Sequence, residues 1–197
     1  TDLSYGLGST LHVHAAKLGG ILNGVDYDVW NPEIDRFIPR RYGIDTIERK
    51  YANKEALRQR FLLRQEFKPI IAYIGRLDHQ KGVELIRDGL FYALANGCQF
   101  VLLGSSPDRA INDFFHHLKH RLNDNPDCHL EIGFDEELSH LIYAGSDMIV
   151  LPSLFEPCGL TQMIALKYGT VPVVRATGGL KDTVFDADYS SRPYHER

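Results

Sequence analysis

The chain has 197 residues, of which 44% are hydrophobic and 24% charged, and its formal net charge is −4. These values are typical of a soluble globular protein with one domain and at most a short appendage. No apolar run approaches the roughly 20 residues that a membrane span needs, which excludes a transmembrane protein. The negative net charge argues against a nucleic-acid binder, which needs a basic surface.

The first part of the chain is weakly patterned. We expect residues 1–19 to be a linker or the remnant of an N-terminal domain, because they are glycine-rich and do not begin with an initiator methionine. No basic segment precedes an apolar run there, so we expect no signal peptide. The apolar run 20–26 contains Asn-Gly and predicts a short strand entering a tight turn, and residues 27–52 predict a surface loop. Asn53 predicts the cap of a helix over residues 53–63.

From residue 69 onward, short apolar runs alternate with segments whose apolar residues recur at helical spacing. This alternation is typical of βαβ units and predicts an α/β fold with a parallel sheet, formed by residues 20–197. Ser106 predicts the cap of one of the helices, because a proline follows it. The predicted strands are 70–74, 100–103, 129–132, 148–151 and 171–174, and the predicted helices are 81–96, 106–122, 135–145 and 157–168.

The loop after the first of these strands carries Arg76 and Lys81, which lie on the same turn into a helix. In open parallel sheets, ligands bind outside the carboxyl ends of the strands, so this loop is a candidate site. The planar guanidinium and the compact ammonium together suit the oxygens of a diphosphate. The alternative is that both are solvated surface charges.

The loop after the strand 148–151 carries Glu156 before a proline, followed by residues whose backbone amides would point to one side at a helix start. These amides, with the Thr161 hydroxyl, predict an anion site. Glu156 can accept hydrogen bonds from sugar hydroxyls, or it complements the helix dipole as an N-terminal carboxylate. The residues that would supply the amides are Cys158, Gly159, Leu160 and Thr161.

Two further strand ends carry candidate ligand contacts. Gly178 and Gly179 would let backbone amides approach a ligand closely, or they form a plain tight turn. Phe134 follows a glycine at another strand end, where an aromatic ring can stack on a nucleobase. The alternative for Phe134 is a core position.

Other kinds of site lack their signatures. The sequence contains no GxGxxG, no GxxxxGK[ST] and no GxSxG, which argues against a dinucleotide-dependent dehydrogenase, a P-loop protein and a serine hydrolase. The cysteines fit neither a disulfide framework nor a CxxC metal site, which indicates a reducing compartment. The clustered histidines have no carboxylate or cysteine at a zinc-like spacing, so we interpret them as solvated. These residues are Cys98, Cys128, Cys158, His12, His14, His116, His117 and His120.

Taken together, these loops resemble those of the starch and bacterial glycogen synthases, which are retaining glucosyltransferases of the GT-B fold. The similarity runs from about residue 19 to residue 186, and in detail it is similar to cyanobacterial synthases and to the plant starch synthase III and IV branch. The segment FEPCGLTQ at 155–162 is the most specific match. The other matching segments are GILNGVD at 20–26, RL and QKG within 76–82, SHLIYAGSD at 139–147 and TGGL at 177–180.

The resemblance implies a Rossmann-like parallel sheet with helices on both faces, the C-terminal, donor-binding domain of such an enzyme, truncated at its own C-terminus. It implies that glucose passes from ADP-glucose to the non-reducing end of an α-1,4-glucan, with no cofactor and no metal. Arg76 and Lys81 would bind the diphosphate, Glu156 the transferred glucose, and an aromatic ring the adenine. The donor-binding residues it implies are Asn23, Phe134, Cys158, Gly159, Leu160, Thr161, Thr177, Gly178 and Gly179.

The implied partners are a nucleotide-sugar donor, an α-glucan acceptor and an N-terminal GT-B domain that this sequence lacks, and the implied compartment is the cytoplasm or the plastid stroma. Two features depart from the family pattern. The KTGGL motif and the catalytic histidine of the first domain are absent, so we expect the isolated chain to be inactive in glucan elongation, and Ala176 stands where the family commonly has a basic residue. The alternatives are a transferase that uses UDP-glucose and a nucleotide-binding module without turnover.

Overall fold

The computed structural model describes residues 6–188 and contains a five-stranded parallel sheet. The strands are β1 (Ile70–Ile74), β2 (Gln99–Gly104), β3 (Cys128–Ile132), β4 (Met148–Leu151) and β5 (Val171–Val174), and the helices are α1 (Gly8–Val13), α2 (Lys50–Arg60), α3 (Val83–Ala95), α4 (Arg109–Leu122), α5 (Glu136–Gly145), α6 (Thr161–Lys167) and α7 (Gly178–Thr183). The sheet order is β3-β2-β1-β4-β5, so the winding direction reverses between β1 and β4.

Each face of the sheet is covered by its own hydrophobic core. Successive residues of β1 point to opposite faces, so Ala72 belongs to one core and Tyr73 to the other. Strands buried on both faces need helices on both sides, which is why their sequences are continuously apolar. This confirms the predicted α/β fold with helices on both faces of the sheet. The first core includes Leu57, Ile142 and Ile164 from α2, α5 and α6, and the second includes Ile86 and Phe115 from α3 and α4.

The segment before the sheet differs from its prediction. Residues 20–26 form no regular secondary structure, so the predicted strand is wrong. Ile21 is 99% exposed, and no strand among residues 6–188 pairs with this run, so its backbone joins no ladder. Residues 1–5 and 189–197, which include both ends of the predicted domains, lie outside the described residues.

The predicted surface loop 27–52 contains more structure than its polarity indicated. A 3-10 helix over Ile44–Arg49 leads into α2, which begins at Lys50 rather than at Asn53. The side chain of Asn53 is buried and bonds the backbone N–H and carbonyl of Arg40 at 2.9 and 2.8 Å, so the predicted cap is wrong. The ammonium of Lys50 donates to backbone carbonyls at the ends of α5 and α6. These contacts join residues distant in sequence, so local patterns did not reveal them.

Three helix starts also differ from their predictions. Asp108, not Ser106, caps α4, because its carboxylate accepts hydrogen bonds from the first backbone N–H groups of the helix. α6 begins at Thr161, four residues after the predicted start at 157. α7 follows the last strand where the sequence predicted only a glycine turn.

A buried polar cluster joins the 27–52 segment to α5 and to the end of α6. One oxygen of Asp35 lies 2.7 Å from Nδ1 of His140 and accepts a hydrogen bond from the Tyr168 hydroxyl at 2.5 Å. Its other oxygen accepts from the backbone N–H of Phe37 at 2.8 Å. Burial alone would raise the pKa of Asp35, but the hydrogen bonds from His140, Tyr168 and Phe37 hold this pKa below its ordinary value.

We expect Asp35→Asn to lower the free energy of unfolding by about 1–3 kcal/mol at neutral pH, because it weakens the buried hydrogen bonds of Asp35 with His140 and Tyr168. The folded-state pKa of Asp35 is below the unfolded value of about 3.9, so its ionised form stabilises the fold above that pH, and the contribution is lost as the pH falls through the folded pKa. Urea unfolding at neutral and acidic pH measures this. The exposed Asp28→Asn is the control, and a difference that does not shrink in acid would contradict the prediction.

Candidate functional site

The reversal of winding between β1 and β4 places the two predicted ligand loops side by side. The backbone N–H of Leu154 donates to the carbonyl of Gln80 at 2.8 Å, and the Gln80 side chain donates to the carbonyl of Phe155 at 3.2 Å. Gln80 therefore joins the loop after β1 to the loop after β4 through both its backbone and its side chain.

This contact brings the predicted cation and carboxylate together. Nζ of Lys81 lies 2.5 Å from Oε2 of Glu156, and the hydroxyl of Ser153 donates to the same oxygen at 3.2 Å. The side chains of Lys81 and Glu156 are 23% and 12% exposed, so the pair is largely shielded from water. Both contacts use Oε2, and among residues 6–188 no donor reaches Oε1. Arg76 is 67% exposed, with its guanidinium 3.5 Å from the carboxylate of Asp78.

The start of α6 leaves backbone N–H groups without acceptors. The fully buried side chain of Gln162 donates to the carbonyls of Cys158 and Gly159 at 3.0 and 2.9 Å. In a regular helix these carbonyls would accept from the backbone N–H groups of residues 162 and 163. Within the described part of the chain, the amides of residues 158–163 donate to no backbone carbonyl. Of these residues, Gly159, Leu160 and Thr161 line a cavity and are not fully buried, so their amides can bind an anion.

The glycines after β5 pack against the same loop. A Cβ atom on Gly178 would lie 2.1 Å from the carbonyl oxygen of Glu156, and one on Gly179 would lie 2.1 Å from that of Cys158, so only glycine fits at either position. The backbone N–H of Gly179 donates to the Glu156 carbonyl at 2.9 Å, so this amide is used inside the protein and is not offered to a ligand as expected. Thr177 is the N-cap residue of α7.

Two cavities open at this edge of the sheet, with Ile74, Gly75 and Arg76 in the wall of both. The smaller cavity has a volume of about 190 Å³ and is lined by most of the predicted anion-binding residues, but not by Cys158. The larger cavity has a volume of about 380 Å³, within the range of small-molecule sites. Residues lining the smaller cavity include Arg76, Lys81, Glu156, Gly159, Leu160 and Thr161.

The larger cavity contains one predicted residue and several that the sequence did not indicate. Phe134 lines it and is 89% exposed, so the alternative of a core phenylalanine is wrong. Trp30 and Tyr143 also line it, and the sequence analysis missed both. The sole tryptophan of the chain, in an otherwise polar segment, was the available signal. Asn23 is exposed and lines neither cavity.

Residues 6–188 contain neither a candidate metal cluster nor a helix that could cross a membrane. No group of three or more histidine, cysteine, aspartate or glutamate side chains in this range is placed to hold a metal ion. The clustered histidines are exposed, as the sequence predicted. No helix in this range has the length and apolar character needed to cross a membrane.

Comparison with known proteins gives consistent matches. The family model for glycosyl transferases group 1 matches residues 53–192. Glycogen synthase 1 of Nitrosococcus oceani is 67% identical over 197 residues, which is all of this chain and 40% of that protein. Glycogen synthase 2 of Methylococcus capsulatus is 66% identical over 98% of this chain and 40% of that protein. The catalytic domain of starch synthase IV from Arabidopsis thaliana, bound to ADP and acarbose, is 46% identical with a TM-score of 0.92, over 95% of this chain and 38% of that one.

These matches confirm the resemblance to starch and glycogen synthases and the expected GT-B type of fold. The chain spans about 40% of the length of the curated relatives it matches. The family model covers well over half of the chain, from α2 onward. The chain therefore belongs to the glycosyl transferases group 1 family.

Proposed function

We propose that this chain is the donor-binding part of an ADP-glucose-dependent glucan synthase. In the proposed reaction, glucose passes from ADP-glucose to the 4-hydroxyl at the non-reducing end of an α-1,4-glucan with retention. The observation that carries the proposal is the Lys81–Glu156 pair, which lines the same cavity as residues 159–161, whose amides donate to no backbone carbonyl. The names of the glycogen synthase relatives, and the ADP bound to the similar starch synthase, support the choice of donor and product.

In this proposal, the positive groups of the smaller cavity hold the diphosphate. Lys81 and Arg76 offer cations, and the amides of residues 159–161 offer hydrogen-bond donors at a helix start. As the bond to glucose breaks, negative charge grows on the departing ADP, and donors fixed in advance stabilise that charge. Two cations and backbone amides supply this function, so we propose neither a cofactor nor a metal.

In this proposal, Glu156 binds the glucose of the donor, and the larger cavity binds its base. Lys81 and Ser153 hold Oε2 of Glu156, which orients Oε1 to accept a hydrogen bond from a glucose hydroxyl. Phe134 offers an exposed ring to the base in the larger cavity. In this arrangement the charged groups contact the diphosphate and the sugar, and the aromatic surface contacts the base.

The acceptor side of the reaction is proposed to lie outside this sequence. The relatives are about 2.5 times as long as the chain, since it spans 40% of their length, and a GT-B site lies between two domains. We therefore propose that the chain binds the donor and does not elongate glucan alone. The bacterial relatives favour the cytoplasm over the plastid stroma as its compartment.

Calorimetric titration of the chain with ADP and with UDP tests the proposal. We expect ADP to bind more tightly than UDP by at least about tenfold, or about 1.4 kcal/mol, because a purine presents more ring surface to the larger cavity. Equal affinities would favour the alternative of a UDP-glucose-dependent transferase. Absence of binding by either nucleotide would refute the proposal, and glucan elongation by the chain alone would contradict the assignment of the acceptor side.

A further inference from the structure

Trp30 is the sole tryptophan of the chain. It lies in the segment 27–52, where the sequence predicted no site residue. Its ring lines the larger cavity together with Phe134. The two aromatic residues differ in how far their rings are exposed to solvent. Phe134 is 89% exposed, whereas the ring of Trp30 is partly buried by its neighbours. The cavity therefore has one aromatic wall that is held in place and one that is open to solvent.

A chain of buried contacts fixes the ring of Trp30. It stacks on the ring of His140 with a centroid distance of 4.0 Å and an interplanar angle of 10°, and it meets Tyr143 edge-on at 5.6 Å. His140 is completely buried, and its Nδ1 is bonded to Asp35, which also accepts from the Tyr168 hydroxyl. One face of the indole is thus covered by a buried ring that is hydrogen-bonded to Asp35. The surface left to the cavity is presented in a fixed orientation.

The remaining lining of the larger cavity suits a flat aromatic ligand. Besides the aromatic residues, its walls include the aliphatic residues Ile74 and Leu103, the glycines at 75, 104 and 133, and the polar residues Arg76, Ser105, Asp135, Glu136 and Ser139. Glycines let a flat ligand approach the backbone closely, and apolar walls favour a base over a sugar or a phosphate. The phosphate-binding groups lie in the smaller cavity beyond Arg76.

We infer that Trp30 is a nucleobase-contacting residue, whose ring is held in the cavity wall by its contacts with His140 and Tyr143. This inference rests on the proposed nucleotide-binding function and assigns to that site a wall from outside the strand-end loops. Because Trp30 is held by contacts within the protein, binding a base requires little ordering of this wall.

The native chain tests this directly, since its tryptophan fluorescence comes from Trp30 alone. We expect AMP and ADP to change the emission saturably, with the same midpoint that calorimetry gives, when excitation is at the red edge of the tryptophan band where adenine does not absorb. Inorganic pyrophosphate, which has no base, is expected to leave the emission unchanged. ADP binding without any change in emission, or an equal change with pyrophosphate, would overturn the inference while leaving the proposed function intact. If no nucleotide binds by calorimetry, both fall.

Variants separate a base contact from a merely structural role. We expect Trp30→Leu to weaken AMP binding about tenfold and Trp30→Phe to weaken it less, because a flat ring remains to stack on the base. Tyr92→Leu, which removes an exposed aromatic ring from α3, is the matched control and should leave AMP affinity unchanged. Equal AMP affinity in Trp30→Leu and the native chain would overturn the inference. If Trp30→Leu does not fold, the titration of the native chain still decides.

Discussion

Replacement of Lys81 by alanine is expected to lower the affinity of the chain for ADP by about 100-fold, which corresponds to about 2.7 kcal/mol. Two effects of the same sign combine. The variant loses the cation that lies 2.5 Å from Glu156 and lines the smaller cavity. It also leaves the Glu156 carboxylate, which is only 12% exposed, without its counter-ion, so a negative charge then opposes the diphosphate. Calorimetric titration with ADP measures the change.

The chain offers a matched control for this prediction. Lys119 also pairs with a glutamate, since its ammonium lies 3.3 Å from Glu131, but it lines neither cavity. Lys119→Ala should therefore leave ADP affinity unchanged. Glu156→Gln gives the opposite test, because it removes the negative charge and should not weaken ADP binding. Equal ADP affinities of Lys81→Ala and Lys119→Ala would contradict the assignment of Lys81 to the diphosphate.

Gly179→Ala is expected to abolish measurable nucleotide binding and to lower the free energy of unfolding by about 2–3 kcal/mol. The added Cβ would lie 2.1 Å from the carbonyl oxygen and 2.5 Å from the Cα atom of Cys158. Both are backbone atoms, so the strain cannot be relieved by rotating a side chain. The start of α7 and the 156–159 loop must move apart, which breaks the bond from the Gly179 N–H to Glu156 and disturbs the amides beside it.

Gly89→Ala is the matched control because it makes the same chemical change within α3, where no atom lies within 4 Å of the added Cβ. It should raise the free energy of unfolding by about 0.5–1 kcal/mol, since alanine is the better helix former, and leave ADP binding unchanged. Urea unfolding and calorimetry on the two variants give effects of opposite sign on stability. A Gly179→Ala variant that binds ADP like the native chain would show that the two loops need not touch for binding.

The sheet was predictable because its signal is local. Each strand is a run of four to six mostly apolar residues followed by a loop and an amphipathic helix, and the five predicted strands are present with small shifts at their ends. The meeting of Lys81 with Glu156 follows from the same pattern once the strand order reverses between β1 and β4. The general rule for open parallel sheets was therefore enough to select these loops.

The segment 27–52 was not predictable in this way. Its buried residues follow no period, because they are fixed by partners far away in sequence, as Asp35 is by His140 and Tyr168. Trp30 was missed for the same reason, since its contacts are with α5 rather than with its own neighbours. The strand predicted at 20–26 failed because an apolar run forms a strand only where another strand offers a ladder. The role implied for Asn23 in this run stays a prediction.

The side chain of Gln162 determines where α6 can begin. Its amide group donates to the carbonyls of Cys158 and Gly159, and Gly159 has a left-handed φ of 79°, so the helix does not extend by a turn toward these residues. A longer helix and a bound anion would need the same backbone N–H groups as hydrogen-bond donors, so one excludes the other. In the folded protein these N–H groups are left outside the helical hydrogen bonds, so a phosphate that binds them need not unwind a helical turn.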